Sequence, residues 1–171
     1  KKIPIVIATT GLSEEENEYI KECSKEIPIF QSANMSFDIN LMKKIVAEVA
    51  KALSNTDIEI IETHHNRKID SPSGTALALA DSINEALCNS KKYNFDRFSK
   101  REKRDKNEIG FSSIRGGNIV GEHIVSFFGE NETFEITHKA YSRGVFAEGA
   151  LKGAEFLVKQ NPGYYTMENI I

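Results

Sequence analysis

Apolar and polar positions alternate in two rhythms along this chain, and the rhythm changes with position. Ile5-Val6-Ile7-Ala8 is an unbroken apolar run that stops at Thr9-Thr10-Gly11. Such a run suits a strand covered on both faces of a parallel sheet. Ser13-Glu14-Glu15-Glu16 has the Ser-x-x-Glu spacing of a capping box, in which hydroxyl and carboxylate each satisfy an orphan amide. A helix to about Cys23 is expected from it. Ile27-Pro28-Ile29-Phe30-Gln31 reads as a second strand, so the chain opens strand–helix–strand, half of a parallel α/β sheet.

A longer helix is expected over 36–53, capped by Ser36, with Asp38 favourably placed in its first turn. Leu41, Met42, Ile45, Val46, Val49 and Leu53 form its expected apolar stripe. The β-branched positions Ile58, Ile60 and Ile61 place a strand over 57–64, and Ala76, Leu79, Ala80, Ile83 and Leu87 place a helix over 74–87. A polar connection follows over 89–107. Three strands are then expected over 109–115, 119–128 and 133–141, with Gly116-Gly117-Asn118 and Gly129-Glu130-Asn131 as hairpin turns between them. A last helix over 145–159 carries Phe146, Ala150, Ala154, Leu157 and Val158 as its apolar face, and Asn161-Pro162-Gly163 ends it. The fold class is therefore α/β and α+β: the remnant of a parallel α/β domain, then an α+β domain with a mixed, mostly antiparallel sheet.

Composition narrows the function classes. With 40% apolar and 27% charged residues among 171, the chain is globular, and a formal charge of −3 provides no general attraction to nucleic acid or anionic membrane. Its apolar runs are too short to cross a bilayer. No charged leader precedes an apolar run at the start, so no secretory signal is expected. Cys23 and Cys88 lack CxxC spacing and read as reduced thiols on helical segments. A cytoplasmic location is expected. The opening Lys1-Lys2, without methionine and running straight into a strand, suggests a fragment whose N-terminal part was removed.

Candidate chemistry concentrates over 62–75. His64 and His65 end a strand, where successive side chains point to opposite faces, so they cannot both enter one core or chelate one ion easily. Taken alone they read as half-exposed strand-end histidines, although one imidazole facing a cleft could transfer protons near neutral pH. Downstream, Pro72 disfavours helix at Ser71, Ser73 can cap the helix, and the amides of Gly74 and Thr75 stand at its positive end. That is a carboxylate or phosphate site, and Lys68 on the intervening loop can add a full charge or donate a proton. Taken alone it is also an ordinary capped helix. The acid–base candidate, the cation and the amide nest together are less easily dismissed.

The segment Glu62-Thr63-His64-His65-Asn66-Arg67-Lys68-Ile69-Asp70-Ser71-Pro72-Ser73-Gly74-Thr75-Ala76 resembles the signature of the dihydrodipicolinate reductases, also called 4-hydroxy-tetrahydrodipicolinate reductases. Further stretches agree in order along essentially the whole chain: Ala8-Thr9-Thr10-Gly11, Ala33-Asn34-Met35-Ser36, Ile114-Arg115-Gly116-Gly117, Val120-Gly121-Glu122-His123 and Ile136-Thr137-His138-Lys139-Ala140 followed by Ser142-Arg143. The resemblance implies reduction of 4-hydroxy-tetrahydrodipicolinate, a small dicarboxylate, by NADPH or NADH on the route to diaminopimelate and lysine. It implies catalytic roles for His64 and Lys68, and substrate contacts for His65, Gly74, Thr75 and Arg143. Ala8, Thr9 and Thr10, with Ser32, Ala33, Asn34 and Met35, match segments that touch the nicotinamide half of the cofactor. It further implies a homotetramer joined through the sheets, with 1–35 the remnant of a Rossmann-type dinucleotide-binding domain, 36–160 the substrate-binding and oligomerisation domain, and 161–171 a tail packing back on the former. The glycine-rich fingerprint that binds pyrophosphate is not in these residues, so the chain by itself is expected to be inactive. Asp38 stands where the family usually has glycine, a change that could alter the hinge between domains.

Other features are read more plainly. Arg115-Gly116-Gly117 is taken as turn chemistry, Glu122 and His123 as structural or interface residues, and His138 as a packed or interface histidine. The run over 100–106 interleaves acids with bases and reads as a solvated loop, not a nucleic-acid patch. Two rival functions are a non-catalytic domain that binds a small dicarboxylate and a metal-dependent lyase using His64, His123 and His138. The first has no need of the histidine and lysine beside the nest. The second lacks the helical spacing that metal ligands favour, and no metal is expected.

Overall fold

The computed structural model describes residues 2–171, which fold as two compact units: Lys1–Asn40 with Arg143–Ile171, and Leu41–Ser142. The expected domain boundaries fell at 35 and 160. Residues 36–40 and the last helix group with the first unit instead.

In the first unit, β1 (Ile5–Ile7), β2 (Pro28–Gln31) and a late strand, β8 (Gly163–Tyr165), form a parallel sheet in the order β1-β2-β8. The helix α1 (Glu14–Cys23) starts on the expected capping box, Ser13 and Glu16 exchanging hydrogen bonds with each other's amides. β1 departs from expectation. It is an edge strand with Ile5 44% exposed, and α1 buries none of its own residues. The other helix of this unit, α4 (Gly144–Leu157), packs against β1 and β2 through Gly149, Gly153 and Leu157. The expected apolar face shifts accordingly: Phe146 and Val158 are exposed. Its glycines carry the packing, since a Cβ on Gly149 would lie 1.7 Å from the Met35 carbonyl oxygen and one on Gly153 2.7 Å from the Phe30 ring. Phe30, Met35, Leu157 and Met167 form the small core that results.

The second unit is a five-stranded mixed sheet in the order β4-β5-β3-β6-β7, built from β3 (Asp57–His64), β4 (Lys92–Asn94), β5 (Glu108–Arg115), β6 (Gly121–Phe128) and β7 (Thr133–Ala140). Its pairings are parallel for β3–β5 and β4–β5, antiparallel for β3–β6 and β6–β7, more evenly mixed than the pattern predicts. The 116–118 turn is therefore no hairpin. β5 and β6 flank β3, so the connection crosses the end of β3 and bonds to it: Gly116 N–H donates to His64 O (3.0 Å) and His65 N–H to Ile119 O (2.8 Å). The 129–131 turn does close a hairpin, Gly129 N–H donating to Glu132 O at 2.9 Å.

Along β3 every second residue is buried, Ile58, Ile60, Glu62 and His64. Ile58 and Ile60 pack with Met42, Val46 and Ala50 of α2 (Phe37–Ala52) and with Ala76, Leu79, Ala80 and Ile83 of α3 (Gly74–Ala86). The α2 stripe is narrower than predicted, since Leu41 and Ile45 are exposed. Ser36 caps α2 as expected, accepting from Ile39 N–H at 3.3 Å. Asp38 sits exposed in the first turn. Cys88 lies beyond α3, exposed and at φ 57°, not within the helix.

The polar connection hides structure that periodicity did not reveal. It contains β4, and Arg104 is pinned across the sheet end, bonded to Asp57 (2.8 Å), Glu59 (3.0 Å) and the carbonyls of Ile58 and Glu108. Arg97 adds a bond to Glu59 at 3.0 Å and another to Glu108. The 100–106 loop is thus anchored by the guanidinium of Arg104, while Arg101 and its lysines are exposed.

Gly149→Ala tests the close approach of α4. Overpacking against a backbone carbonyl should destabilise by about 1–3 kcal/mol, seen as a lower melting temperature. Gly116→Ala, where a Cβ meets nothing within 4 Å, should stay within about 0.5 kcal/mol of the parent.

Candidate active site

The buried face of β3 turns from apolar to polar at its C-terminal end, beneath the first turn of α3. Glu62 is 1% exposed and its carboxylate is fully engaged. Arg115, directly across from His64 on β5, grips it with two nitrogens, Nη1 to Oε2 at 2.8 Å and Nη2 to Oε1 at 2.6 Å. Ser73 N–H donates to Oε1 at 3.2 Å, and His64 Nδ1 lies 2.5 Å from Oε2. Arg115 is thus far more than turn chemistry. Burial pushes the Glu62 carboxyl up, but hydrogen bonds from Arg115, Ser113 and His64 outweigh it and bring the pKa to about 2. The same pairing raises the Arg115 guanidinium above its ordinary value.

His64 is buried to 8% exposure. Its ring meets His123 edge-on, with centroids 5.1 Å apart, and Gly121 on β6 leaves it room: a Cβ there would lie 3.0 Å from Nε2. His123, opposite Glu62 in the β3–β6 register, is 4% exposed and its Nε2 lies 3.0 Å from Ser73 Oγ. Ser73 caps α3, its Oγ accepting from Ala76 N–H at 3.2 Å. Since that hydroxyl oxygen accepts from the helix, its proton is best placed on neutral His123. Burial, then repulsion from His64, lowers the His123 pKa to about 3 and keeps the ring neutral.

Gly74 begins α3 exposed, with nothing within 4 Å of where a Cβ would stand, and Thr75 follows half-buried. Lys68, with 21% of its side chain exposed, is paired with Asp70 at 2.9 Å. His65 turns away from His64 and is half-buried. One compact arrangement therefore holds His64, Glu62, Arg115, His123 and Ser73 at the first turn of α3. Sequence reading missed Glu62, Arg115 and His123 as parts of it. The available signal was Glu62 itself, a carboxylate two residues before His64 on a strand and hence on the same face. Among the described residues, no group of three or more His, Cys, Asp or Glu side chains stands ready to hold a metal ion.

The remaining expected positions belong to the first unit. Ala8, Thr9 and Thr10 follow β1 and are exposed; Ser32, Ala33, Asn34 and Met35 follow β2. Both segments leave the C-terminal ends of adjacent parallel strands, where α/β sheets bind nucleotides. Asn34 Oδ1 accepts from Ser36 N–H at 2.8 Å and Met35 is buried against α4. Arg143 is exposed at the start of α4.

Residues 38–171 match the family described as "Dihydrodipicolinate reductase, C-terminus", and residues 1–35 match "Dihydrodipicolinate reductase, N-terminus". The chain belongs to the dihydrodipicolinate reductase family. It is 57% identical over 171 residues to the 4-hydroxy-tetrahydrodipicolinate reductase of Caldanaerobacter subterraneus subsp. tengcongensis, covering all of this chain and 68% of that protein. It is 49% identical over 169 residues to the enzyme of the same name from Staphylococcus carnosus, covering 99% of this chain and 69% of that one. Among solved structures, the dipicolinate-bound dihydrodipicolinate reductase from Paenisporosarcina sp. TG-14 superposes with a TM-score of 0.77 at 26% identity, over 99% of this chain and 65% of that chain. This chain thus spans about two thirds of its reductase relatives. No helix among the described residues is long and apolar enough to cross a membrane.

The buried histidine makes the reductase fold pH-sensitive. His123 has a pKa near 6.5 when unfolded and about 3 when folded. Between those values the unfolded chain binds the proton that the folded chain refuses, so stability must fall as pH drops from about 6.5 toward 3, by up to about 1.4 kcal/mol per pH unit. Glu62, about 2 folded against 4.5 unfolded, stabilises above 4.5 and its contribution is lost as pH falls through about 2. In urea unfolding between pH 5 and 6.5, the difference in slope between the parent and His123→Gln should report the His123 contribution.

Proposed function

We propose that this chain carries the substrate-binding and acid–base part of a NAD(P)H-dependent reductase that converts 4-hydroxy-tetrahydrodipicolinate to tetrahydrodipicolinate in lysine and diaminopimelate synthesis. The observation that carries the reading is His64, bonded through Nδ1 to Glu62 at the edge of the amide-bearing first turn of α3. His64 is the acid–base residue. Gly74 and Thr75 receive one carboxylate at the positive end of α3, and Lys68 supplies charge and a second proton. His65 is a further substrate contact on this reading, and the family resemblance implies Arg143 as another. The dipicolinate in the Paenisporosarcina enzyme is a dicarboxylate of the kind these residues suit.

A nicotinamide dinucleotide, NADPH or NADH, would supply the hydride. Residues 8–10 and 32–35 suit its nicotinamide half, because they line the C-terminal ends of two parallel strands. Residues 1–35 match the family's N-terminal model and are read as part of a dinucleotide-binding domain. A cytoplasmic setting suits the two thiols.

The strands of the second unit suit self-association into a homotetramer. Phe127 is buried in its own core, but Phe128 (40%) and Phe134 (49%) stay exposed, as does Ile114. A tetramer mass by light scattering at micromolar concentration is expected, and a monomer would count against it.

Kinetics separate catalysis from mere dicarboxylate binding. The 171 residues alone should consume no NADPH or NADH measurably. Extended to the full length of its relatives, the enzyme should lose about 10²–10⁴-fold in kcat on His64→Gln with little change in KM. Lys68→Ala should lower kcat and raise KM, the KM effect shrinking with salt because it is partly screened attraction. Turnover by His64→Gln within about twofold of the parent would overturn the role of His64.

A further inference from the structure

Building on the reductase reading, we propose that Glu62 is the positioning residue of the acid–base step: its carboxylate holds His64 as the Nδ1–H tautomer, leaving Nε2 as the atom that exchanges the proton, while Arg115 fixes the carboxylate.

A buried carboxylate on β3 has a cost that stability alone does not explain. Ile58 and Ile60 continue the same face, and a third apolar side chain at position 62 would extend the core without desolvating a charge. Replacing buried ion pairs by apolar residues of similar volume is often neutral or stabilising. Here the carboxylate is kept, and each oxygen has a defined task. Oε1 accepts from Arg115 Nη2 and Ser73 N–H; Oε2 accepts from Arg115 Nη1 and faces His64 Nδ1. Every other group around it is a donor, so Glu62 is acceptor only and His64 must present Nδ1–H to it. The other ring nitrogen, Nε2, lies beside Gly121, where a Cβ would stand 3.0 Å away, and His123 stands edge-on against the ring. A carboxylate bonded to one imidazole nitrogen sets the role of the other, as in hydrolase triads and metal-bound histidines.

The same carboxylate ties His64 to the substrate nest. Ser73 N–H bonds to Oε1 one residue before Gly74, so the acid–base ring and the first turn of α3 are referenced to one group. A shift of either would break a bond to buried Glu62.

The test reads the tautomer directly. Long-range 1H–15N correlation spectra of the labelled 171-residue chain should find His64 protonated at Nδ1. Glu62→Gln keeps the shape but introduces donors. With its oxygen toward His64, the amide nitrogen would oppose two donors, Arg115 Nη2 and Ser73 N–H. With its nitrogen toward His64 it opposes only Arg115 Nη1. The second arrangement donates to Nδ1 and should switch His64 to the Nε2–H tautomer. In the enzyme extended to full length, the same variant should lose about 10²-fold or more in kcat, with KM within about threefold. A parent chain whose His64 is Nε2–H overturns the proposal, however the variant folds. So does a folded Glu62→Gln with kcat within about threefold of the parent. The tautomer result is independent of turnover: if His64→Gln kept full activity, the reductase mechanism would fail while the Glu62–His64 geometry could still be measured.

Discussion

The polar end of the second unit's core is organised around one buried carboxylate, Glu62. Glu62 is removed from water at the point where β3 stops contributing apolar side chains, and desolvation there would force it neutral without partners. Arg115 prevents that by meeting both oxygens in one planar grip, the geometry for which a guanidinium is best suited. Because Arg115 is reached only through the parallel pairing of β3 with β5, the electrostatics of the site constrain the sheet topology. Slipping β5 by one residue would turn Arg115 to the opposite face and leave Glu62 buried and unpaired.

The antiparallel neighbour contributes by what it lacks and by what it keeps neutral. Gly121 gives His64 space that any side chain would take, and His123 meets the ring without adding charge, since burial suppresses its protonation. Ser73 then links this row to α3: its amide reaches Glu62 and its hydroxyl lies between His123 and Ala76. A helix start, normally a local affair of capping, is here fixed by two strands. Precise placement of an acid–base group beside an anion site depends on this sort of support from locked neighbours.

The first unit solves a different problem, close approach. Gly149 and Gly153 bring the α4 backbone within reach of Met35 and Phe30, and the segment after β2 is held by that contact and by the Asn34 turn. Small residues on a helix face look like weak helix formers in sequence, yet their missing volume is the packing feature. For the same reason an apolar stripe drawn through Phe146 and Val158 was misplaced.

Much of this was legible in the sequence, for a physical reason: helix caps, strand alternation and breaker residues act over a few positions. Ser13 and Glu16, Ser36, Ser73 and the β-branched residues over 57–64 all act in the structure as their local chemistry predicts, and the long motif over 62–76 carried the family. What the sequence could not determine is non-local. Which strands flank β3, that the 116–118 turn crosses it, that Arg104 anchors a loop resembling a solvated one, and that Arg115, Gly121 and His123 converge on Glu62 and His64 all follow from register. Register is decided by the summed burial and pairing of whole strands, and no single stretch of residues contains it.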